Sequence, residues 1–162
     1  MSEIDRMLAA NTEWARRFPG SKDVRPVRRV AVVACMDSRM PLFQMLGLEV
    51  GDAHVIRNAG GVVTEDVIRS LAISQWLLGT REVILVHHTD CGMLTFTDDE
   101  VKADIESKTG LRPHFALEAF ADLENDIRQS IARIKASPFV ASKDSVRGFV
   151  YDVRTGQLQE VT

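Results

Sequence analysis

Apolar residues fall along the chain in two alternating patterns, short continuous runs and longer segments with helical spacing. Residues 29–35 read Arg-Val-Ala-Val-Val-Ala-Cys, a nearly continuous apolar run. Such a run is typical of a strand buried on both faces of a parallel sheet. Because runs of this kind alternate with helical segments, the pattern predicts an α/β fold with a mainly parallel sheet. The other predicted strands are 53–57, 82–87, 147–153 and 157–161, the last two joined by a turn at Thr155 and Gly156.

The first segment of the chain predicts an amphipathic helix. Ser2 and Asp5 form a capping-box pattern at its start, and Pro19 followed by Gly20 ends it. The pattern is compatible with packing on another subunit and equally with packing on its own domain. The apolar positions of this helix are Ile4, Leu8, Trp14 and Phe18.

Four further helices are predicted. Residues 64–78 follow the cap residue Thr64 and are apolar on almost every side, so this helix should be largely buried. Residues 117–134 carry apolar side chains at helical spacing and form a long amphipathic helix. A short helix at 41–46 and a weaker one at 94–108 complete the set.

Length and composition are those of one ordinary globular domain. The chain has 162 residues, of which 45% are hydrophobic and 27% charged, and this is enough to build a sizeable core. The formal net charge of −3 argues against binding to nucleic acid or to an anionic membrane surface. The acidic N-terminus lacks the apolar stretch of a secretory leader, and no run is long enough to span a membrane, so a cytoplasmic location is expected.

Both cysteines lie where predicted strands end. Cys35 ends the first core strand, and His88 and Cys91 directly follow the third. Ligands of open α/β sheets bind at these carboxyl ends. Two thiolates and an imidazole suit zinc, and a catalytic zinc leaves a fourth position for water. A disulfide is disfavoured in a reducing compartment, and two buried structural thiols are the plainer alternative, so the sequence favours a shared metal.

Asp37 and Arg39 follow the first cysteine closely enough to control that fourth position. The Asp37 carboxylate could orient the nucleophile, or it could bind zinc itself and close the site. Arg39 could hold Asp37 away from the metal through a bidentate pair. A surface ion pair of little consequence is the alternative.

Three short sequence segments resemble those of a known family. Residues 35–39 (Cys-Met-Asp-Ser-Arg) and 88–92 (His-Thr-Asp-Cys-Gly) together resemble the signature of the β-class carbonic anhydrases. Residues 55–59 (Val-Ile-Arg-Asn-Ala) resemble the Arg-Asn-Ala segment of the same family. The order of the predicted elements fits as well, so the resemblance covers residues 1–162 as a single domain.

The resemblance implies a fold, an assembly and a cofactor. The fold would be a central four-stranded parallel sheet, extended by a C-terminal strand and flanked by helices. The assembly would be a homodimer or a dimer of dimers, in which the N-terminal helix packs on a partner subunit. One Zn²⁺ per chain would be held by Cys35, His88 and Cys91, with Asp37 as a fourth ligand in a closed state.

The resemblance also implies an activity, the reversible hydration of CO₂ to bicarbonate and a proton. Zinc would generate hydroxide, Asp37 and Arg39 would form the catalytic dyad, and the Gly92 N–H would lie near the substrate. Two thiolates neutralise the charge of Zn²⁺, so the bound water should be a weaker acid than in a site with three histidines, and activity should rise with pH.

Two positions depart from the commoner family pattern. Pro26 stands where many members carry Gln, and Met93 stands where many carry Gly. These features resemble a compact bacterial branch that the family shares with carbonyl sulfide hydrolases. Hydrolysis of carbonyl sulfide on the same fold is therefore the alternative activity. A non-catalytic zinc protein closed permanently by Asp37 is a third, less favoured hypothesis.

Four other residues are less favoured candidates for a role in the site. His87 should point away from His88 and serve in packing, because neighbouring residues of a strand face opposite sides. His54 and His114 could shuttle protons, although an ordinary surface or turn position is favoured for each. Arg57 is expected to anchor the chain.

Overall fold

The sheet has five strands in the computed structural model, which describes residues 1–162. Their order is β2-β1-β3-β4-β5, parallel as far as β4 and antiparallel between β4 and β5. This confirms the predicted four-stranded parallel sheet with one added C-terminal strand. The strands are β1 (Val30–Cys35), β2 (Ala53–Asn58), β3 (Glu82–His88), β4 (Val146–Tyr151) and β5 (Leu158–Val161).

Five α-helices and two single turns of 3₁₀ helix surround the sheet. None of the helices is both long and apolar enough to cross a membrane. The 3₁₀ turns, Ala59–Gly61 and Gly92–Leu94, directly follow the ends of β2 and β3. The α-helices are α1 (Glu3–Arg16), α2 (Leu42–Met45), α3 (Glu65–Trp76), α4 (Asp98–Thr109) and α5 (Leu123–Ala136).

Two helices begin later than their apolar spacing predicts. The helix expected from residue 117 is α5, which starts only after Asp122, whose carboxylate accepts the Asn125 N–H at 2.9 Å. The helix expected from residue 94 is α4, which starts after Thr97 with a capping box to Glu100. In both places a side-chain cap, rather than the first apolar residue, fixes the start of the helix.

The expectation that α3 is largely buried is wrong for one of its faces. Val67 and Leu71 are buried against the sheet, but Ile73 is 45% exposed and Trp76 is 66% exposed. The exposed side of α3 carries the charged residues Glu65, Asp66 and Arg69 in its first half and Ile73 and Trp76 in its second half. Only the carboxyl-terminal half of this side therefore leaves apolar side chains uncovered on the single chain.

The core lies on both faces of the sheet. On one face, the side chains of β1 and β3 pack under α3 and α5, with Val33, Leu71, Leu85 and Ile134 fully buried. On the other face, near the carboxyl ends of the strands, the core contains Cys35 and Cys91 together with Met40, Met93 and Tyr151. The candidate ligands are thus part of a packed apolar cluster.

The amino-terminal half of this second face is not covered by any helix of the chain. A cavity of about 220 Å³ lies there, lined in part by the sheet residues Val30, Val32, Ile84 and Phe149. The helix α1 is capped by Ser2, as predicted, and buries none of its residues in the chain.

Candidate metal centre and the Asp–Arg pair beside it

The three predicted ligands come together where β1 and β3 end. Cys35 is the last residue of β1 and His88 is the last residue of β3, and these two strands are parallel neighbours in the sheet. Cys91 follows His88 after a turn of two residues. The sulfur atoms of the two cysteines and a ring nitrogen of His88 all lie within 4.8 Å of one another, and all three residues are buried.

The protonation of His88 fits a metal ligand. Its Nδ1 lies 2.8 Å from the Thr89 carbonyl oxygen, which can only accept, so Nδ1 carries the proton. Nε2 then presents a lone pair, and this atom is buried without a hydrogen-bond partner. A second hydrogen bond that fixes the tautomer in this way is typical of metal-bound histidine.

The donor set and its spacing fit zinc. Ligand atoms around a tetrahedral zinc lie about 3.3–3.8 Å apart, which a cluster within 4.8 Å accommodates. Both cysteines are free thiols rather than a disulfide. Two sulfurs and one nitrogen leave a fourth position, as in catalytic rather than structural zinc sites.

The surroundings of Cys35 favour its thiolate. A hydrogen bond with the Cys91 thiol, aided by the backbone N–H groups of Asp37 and Gly60, outweighs burial and lowers the pKa of the Cys35 thiol. The same hydrogen bond, together with burial, raises the pKa of Cys91. The two neighbouring thiols thus share a tendency to lose a proton, and a bound cation favours the loss of both protons.

Asp37 lies beside the ligands and is held by Arg39. Arg39 Nε is 3.0 Å from Asp37 Oδ1 and Nη2 is 2.8 Å from Oδ2, a bidentate pair. These hydrogen bonds hold the Asp37 pKa well below its usual range. Asp37 Oδ2 is also 3.6 Å from His88 Nε2. The carboxylate is therefore within reach of a metal but engaged with Arg39, as the pattern of residues predicts.

Arg39 also binds a second carboxylate, that of Asp90, and the sequence pattern does not predict this contact. Asp90 Oδ2 lies 2.8 Å from Arg39 Nη1, and the Asp90 carbonyl oxygen lies 3.0 Å from Nη2. Asp90 has a left-handed backbone with φ of 57°. The only signal in the sequence was the position of Asp90 inside the second ligand string, next to Cys91.

Arg57 anchors the chain, as expected, and the structure shows which part. Its Nε donates to the Cys35 carbonyl at 2.9 Å and its Nη2 donates to the Asp37 carbonyl at 2.7 Å. A side chain from β2 thereby fixes the backbone of the first ligand loop. On the other side of that loop, a Cβ at Gly61 would come within 2.7 Å of the Cys35 nitrogen, so glycine is required at this close approach.

Apolar side chains wall the cluster on one side. Met93 is only 7% exposed, and a Cβ at Gly60 would meet both Met93 and Phe120 at 3.1 Å. Phe120 belongs to the irregular segment before α5. That segment is held by the Asp98 carboxylate, which accepts the backbone N–H groups of Leu117 at 2.7 Å and Ala119 at 2.9 Å.

Gly92 lies at the edge of the site, directly after Cys91. Its carbonyl accepts the N–H of Thr95 at 3.0 Å and the Thr95 hydroxyl at 2.7 Å, which fixes the turn. A Cβ at Gly92 would meet no atom within 4 Å, so the backbone here faces open space. Met36, the residue after Cys35, is 64% exposed and is not part of the apolar wall formed by Met93 and Phe120.

The remaining histidines lie outside the metal cluster. His87 is fully buried, and its Nε2 is 2.7 Å from Asp126 Oδ2 on α5, so its ring joins β3 to α5. His54 is bound through Nδ1 to the Ser74 hydroxyl at 2.7 Å. His114 contacts Phe115 edge to face.

A parallel α/β sheet with a Cys-His-Cys cluster at its carboxyl edge defines a class of metalloprotein, and comparisons place the chain within it. A model of the carbonic anhydrase family matches residues 30–158. "Beta-carbonic anhydrase 1" of Mycobacterium tuberculosis is 57% identical over 162 residues, covering 100% of this chain and 99% of that protein. A carbonic anhydrase from Streptococcus mutans superposes with a TM-score of 0.93 at 41% identity and covers 100% of this chain and 99% of that one.

A related branch of proteins matches at lower identity. The carbon disulfide hydrolase of an Acidianus species is 34% identical over 181 residues, covering 97% of this chain and 88% of that protein. The chain belongs to the β-carbonic anhydrase family.

Proposed function

We propose that this chain is a carbonate dehydratase, a lyase that interconverts CO₂ and bicarbonate with the help of one zinc ion. Its family supports the reaction. The observation that carries the proposal is the buried Cys35-His88-Cys91 cluster, with the free Nε2 of His88 facing an Asp–Arg pair.

The metal and the chain divide the chemistry between them. A zinc ion held by Cys35, His88 and Cys91 would act as the Lewis acid that activates a water molecule for attack on the carbon of CO₂. An ionised carboxylate can only accept hydrogen bonds, so Asp37 accepts one from the attacking water or hydroxide. This hydrogen bond orients the lone pair of the attacking oxygen towards the carbon of CO₂. Arg39 keeps the Asp37 carboxylate ionised and turned away from the metal.

The surroundings of the site suit the substrate and the product. CO₂ is linear and apolar, and the wall formed by Met93 and Phe120 offers it no competing hydrogen bonds. Bicarbonate is an anion with several acceptor oxygens, and the Gly92 N–H, at the open edge of the cluster, is a donor for it. The apolar wall thus suits CO₂, and the polar edge suits bicarbonate.

Metal analysis combined with a rate measurement tests this proposal. The purified protein should contain about one zinc per chain and should acidify CO₂-saturated buffer. Removal of zinc with a chelator should abolish the acidification, and addition of zinc should restore it. A zinc-loaded protein that is inert towards CO₂ at about pH 8.5 contradicts the proposal.

Hydrolysis of a sulfur-containing analogue is the second candidate function. Carbon disulfide hydrolases are among the relatives, and carbonyl sulfide and carbon disulfide are linear triatomic molecules like CO₂. The higher identity to a β-carbonic anhydrase favours CO₂. The ratio of kcat/KM values on CO₂, carbonyl sulfide and carbon disulfide decides between them, and a larger value on either sulfur compound would reverse the assignment.

A non-catalytic zinc protein is disfavoured by the position of Asp37. Permanent closure requires the carboxylate to bind the metal, yet both of its oxygens are engaged with Arg39. The discriminating measurement is the coordination of the metal as a function of pH. Asp37 bound to zinc even above about pH 9, without exchangeable water, would favour the non-catalytic function.

Turnover is expected to rise from about pH 7 to about pH 9, because the water activated by a metal with two thiolate ligands is a weak acid. The Asp37 carboxylate does not cause this rise. Arg39 lowers the pKa of Asp37, so the carboxylate is already ionised throughout this range. The measurement is kcat across the range in buffers of constant ionic strength, and a profile that falls with pH contradicts the proposal.

We further propose that the chain assembles as a homodimer or a dimer of dimers through α1. None of the residues of α1 is buried, and Ile4, Met7 and Leu8 are each more than 60% exposed. The cavity lined by the half-buried Val30, Ile84 and Phe149 is the surface that we assign to α1 of a second copy. Sedimentation equilibrium should show at least a dimer, and deletion of residues 1–18 should yield monomer; a monomeric full chain contradicts this assembly.

The free thiols also favour a cytoplasmic location. Cys35 and Cys91 must stay reduced to bind a metal, and the cytoplasm maintains thiols in that state. Fractionation of the producing cells tests this location.

A further inference from the structure

The Arg39 guanidinium is held between two carboxylates, one on each of its edges. The edge formed by Nε and Nη2 faces Asp37, at 3.0 and 2.8 Å. The edge formed by Nη1 and Nη2 faces Asp90, with Oδ2 at 2.8 Å and the carbonyl oxygen at 3.0 Å. Each of the three nitrogen atoms therefore has a partner. The position of Arg39 depends on Asp90 as well as on Asp37.

We propose that Asp90 is a positioning residue that anchors Arg39 and thereby sets where Asp37 stands relative to the metal. Asp90 lies between His88 and Cys91, and Asp37 follows Cys35 by two residues. The bridge from Asp90 through Arg39 to Asp37 joins the two ligand segments by side chains. The oxygen that orients the nucleophile is thus fixed to the same turn that supplies two of the ligands. This inference rests on the proposed function.

The backbone of Asp90 supports a specific role for this side chain. A φ of 57° is uncommon for residues other than glycine, and asparagine and aspartate tolerate it best. Glycine would adopt this conformation without strain, so the turn alone does not require a carboxylate. The aspartate at this position instead supplies the Oδ2 acceptor for Arg39 Nη1.

Two properties of Asp90 act in opposite directions on the Asp37–Arg39 pair. The acceptor oxygen anchors the guanidinium opposite Asp37, which favours the pair. The negative charge competes with Asp37 for the same cation, which weakens the pair, although the effect is small because 71% of the Asp90 side chain is exposed. Variants at this position separate the two properties.

Asp90→Gly removes the acceptor and the charge, whereas Asp90→Asn removes the charge and keeps an acceptor oxygen. Both residues suit a positive φ. In Asp90→Gly, Arg39 Nη1 loses its carboxylate partner while the main-chain carbonyl at Nη2 remains. Arg39 is then held less firmly, Asp37 leaves it more often, and the metal is closed in a larger fraction of molecules. We expect kcat to fall about two- to fivefold with KM unchanged, in keeping with an exposed ion pair. We expect Asp90→Asn to retain most of the activity.

A readout independent of CO₂ chemistry uses the cobalt(II)-substituted protein. Thiocyanate can bind the metal only where Asp37 does not, and the visible absorption of cobalt reports its binding. The affinity for thiocyanate should fall about two- to fivefold in Asp90→Gly and stay near the wild-type value in Asp90→Asn. The control is Asp99→Asn, an exposed aspartate on α4 whose partner is Arg112 at 2.7 Å; it should change nothing.

The outcomes separate this inference from the proposed function. Asp90→Gly with the thiocyanate affinity of the wild type overturns the anchoring role, whether or not the protein hydrates CO₂. Equal losses in Asp90→Gly and Asp90→Asn also overturn it, because the charge alone would then matter. Asp90→Gly should also keep the metal content of the wild type, and a loss of metal would overturn the anchoring role, because a loosened ligand turn would then account for the change. A wild-type protein that binds thiocyanate on cobalt but ignores CO₂ contradicts the proposed function alone.

Discussion

Cys35→Ser is expected to leave a folded protein with almost no bound zinc and no CO₂ hydration above background. The substitution replaces the thiolate at the end of β1 with a hydroxyl, which is a poor zinc ligand. We expect the affinity for zinc to fall by at least about 100-fold, since the loss of a direct ligand should exceed the 10- to 100-fold cost known for outer-shell partners. Equilibrium dialysis of zinc and the initial rate of acidification measure the two effects.

Variants of two histidines provide the matched comparison. His88→Asn removes a ligand from β3 and should repeat the loss seen with Cys35→Ser. His54→Asn changes a histidine of β2 that is bound to Ser74 and lies outside the metal cluster, so zinc content and rate should be kept. Circular dichroism confirms that each variant is folded. Full zinc content in Cys35→Ser would show that the cluster is not the metal site.

Asp37→Ala is expected to keep its zinc but to lose about 100-fold in kcat, the lower end of the contribution that a positioned acid–base group makes. All three ligands remain, so the metal stays bound. The attacking group, however, loses the acceptor that orients it, and Arg39 loses the carboxylate between itself and the metal. The measurement is kcat at saturating CO₂ together with the zinc content of the same preparation.

The control for this prediction is a surface aspartate with a comparable partner. Asp66→Ala removes a carboxylate that bonds to Arg69 at 2.9 Å on α3, remote from the metal cluster, and its kcat should not change. Asp37→Ala with the full wild-type rate would refute the orienting role. Asp37→Ala that has also lost its zinc would instead indicate that the carboxylate is a permanent ligand.

The metal cluster could be predicted from the sequence because it depends on strand ends. Cys35 and His88 each follow an apolar run, and the carboxyl ends of neighbouring parallel strands meet at one edge whatever the details of packing. The Asp37–Arg39 pair could be predicted equally well, because only one residue separates the two and they need no long-range contact to meet.

Features that depend on tertiary contacts could not be predicted in the same way. The pairing of Asp90 with Arg39 joins residues 51 positions apart and requires a left-handed backbone at Asp90. The helix α5 begins after its cap residue Asp122 and not at the apolar Leu117. Leu117 lies in the preceding irregular segment, where its N–H is bound by the Asp98 carboxylate. The exposed face of α3 carries apolar residues that a sequence pattern alone assigns to the core.

The contacts of Arg57 have a consequence for how the site acquires its metal. Its guanidinium binds the Cys35 and Asp37 carbonyl oxygens directly, so the first ligand loop is shaped by the fold and not by a cation. Ordering a loop carries an entropic cost, which here falls on folding and not on metal uptake. A metal that binds there meets a loop whose backbone at Cys35 and Asp37 is already held by Arg57, so this part of the ordering cost does not weaken its binding.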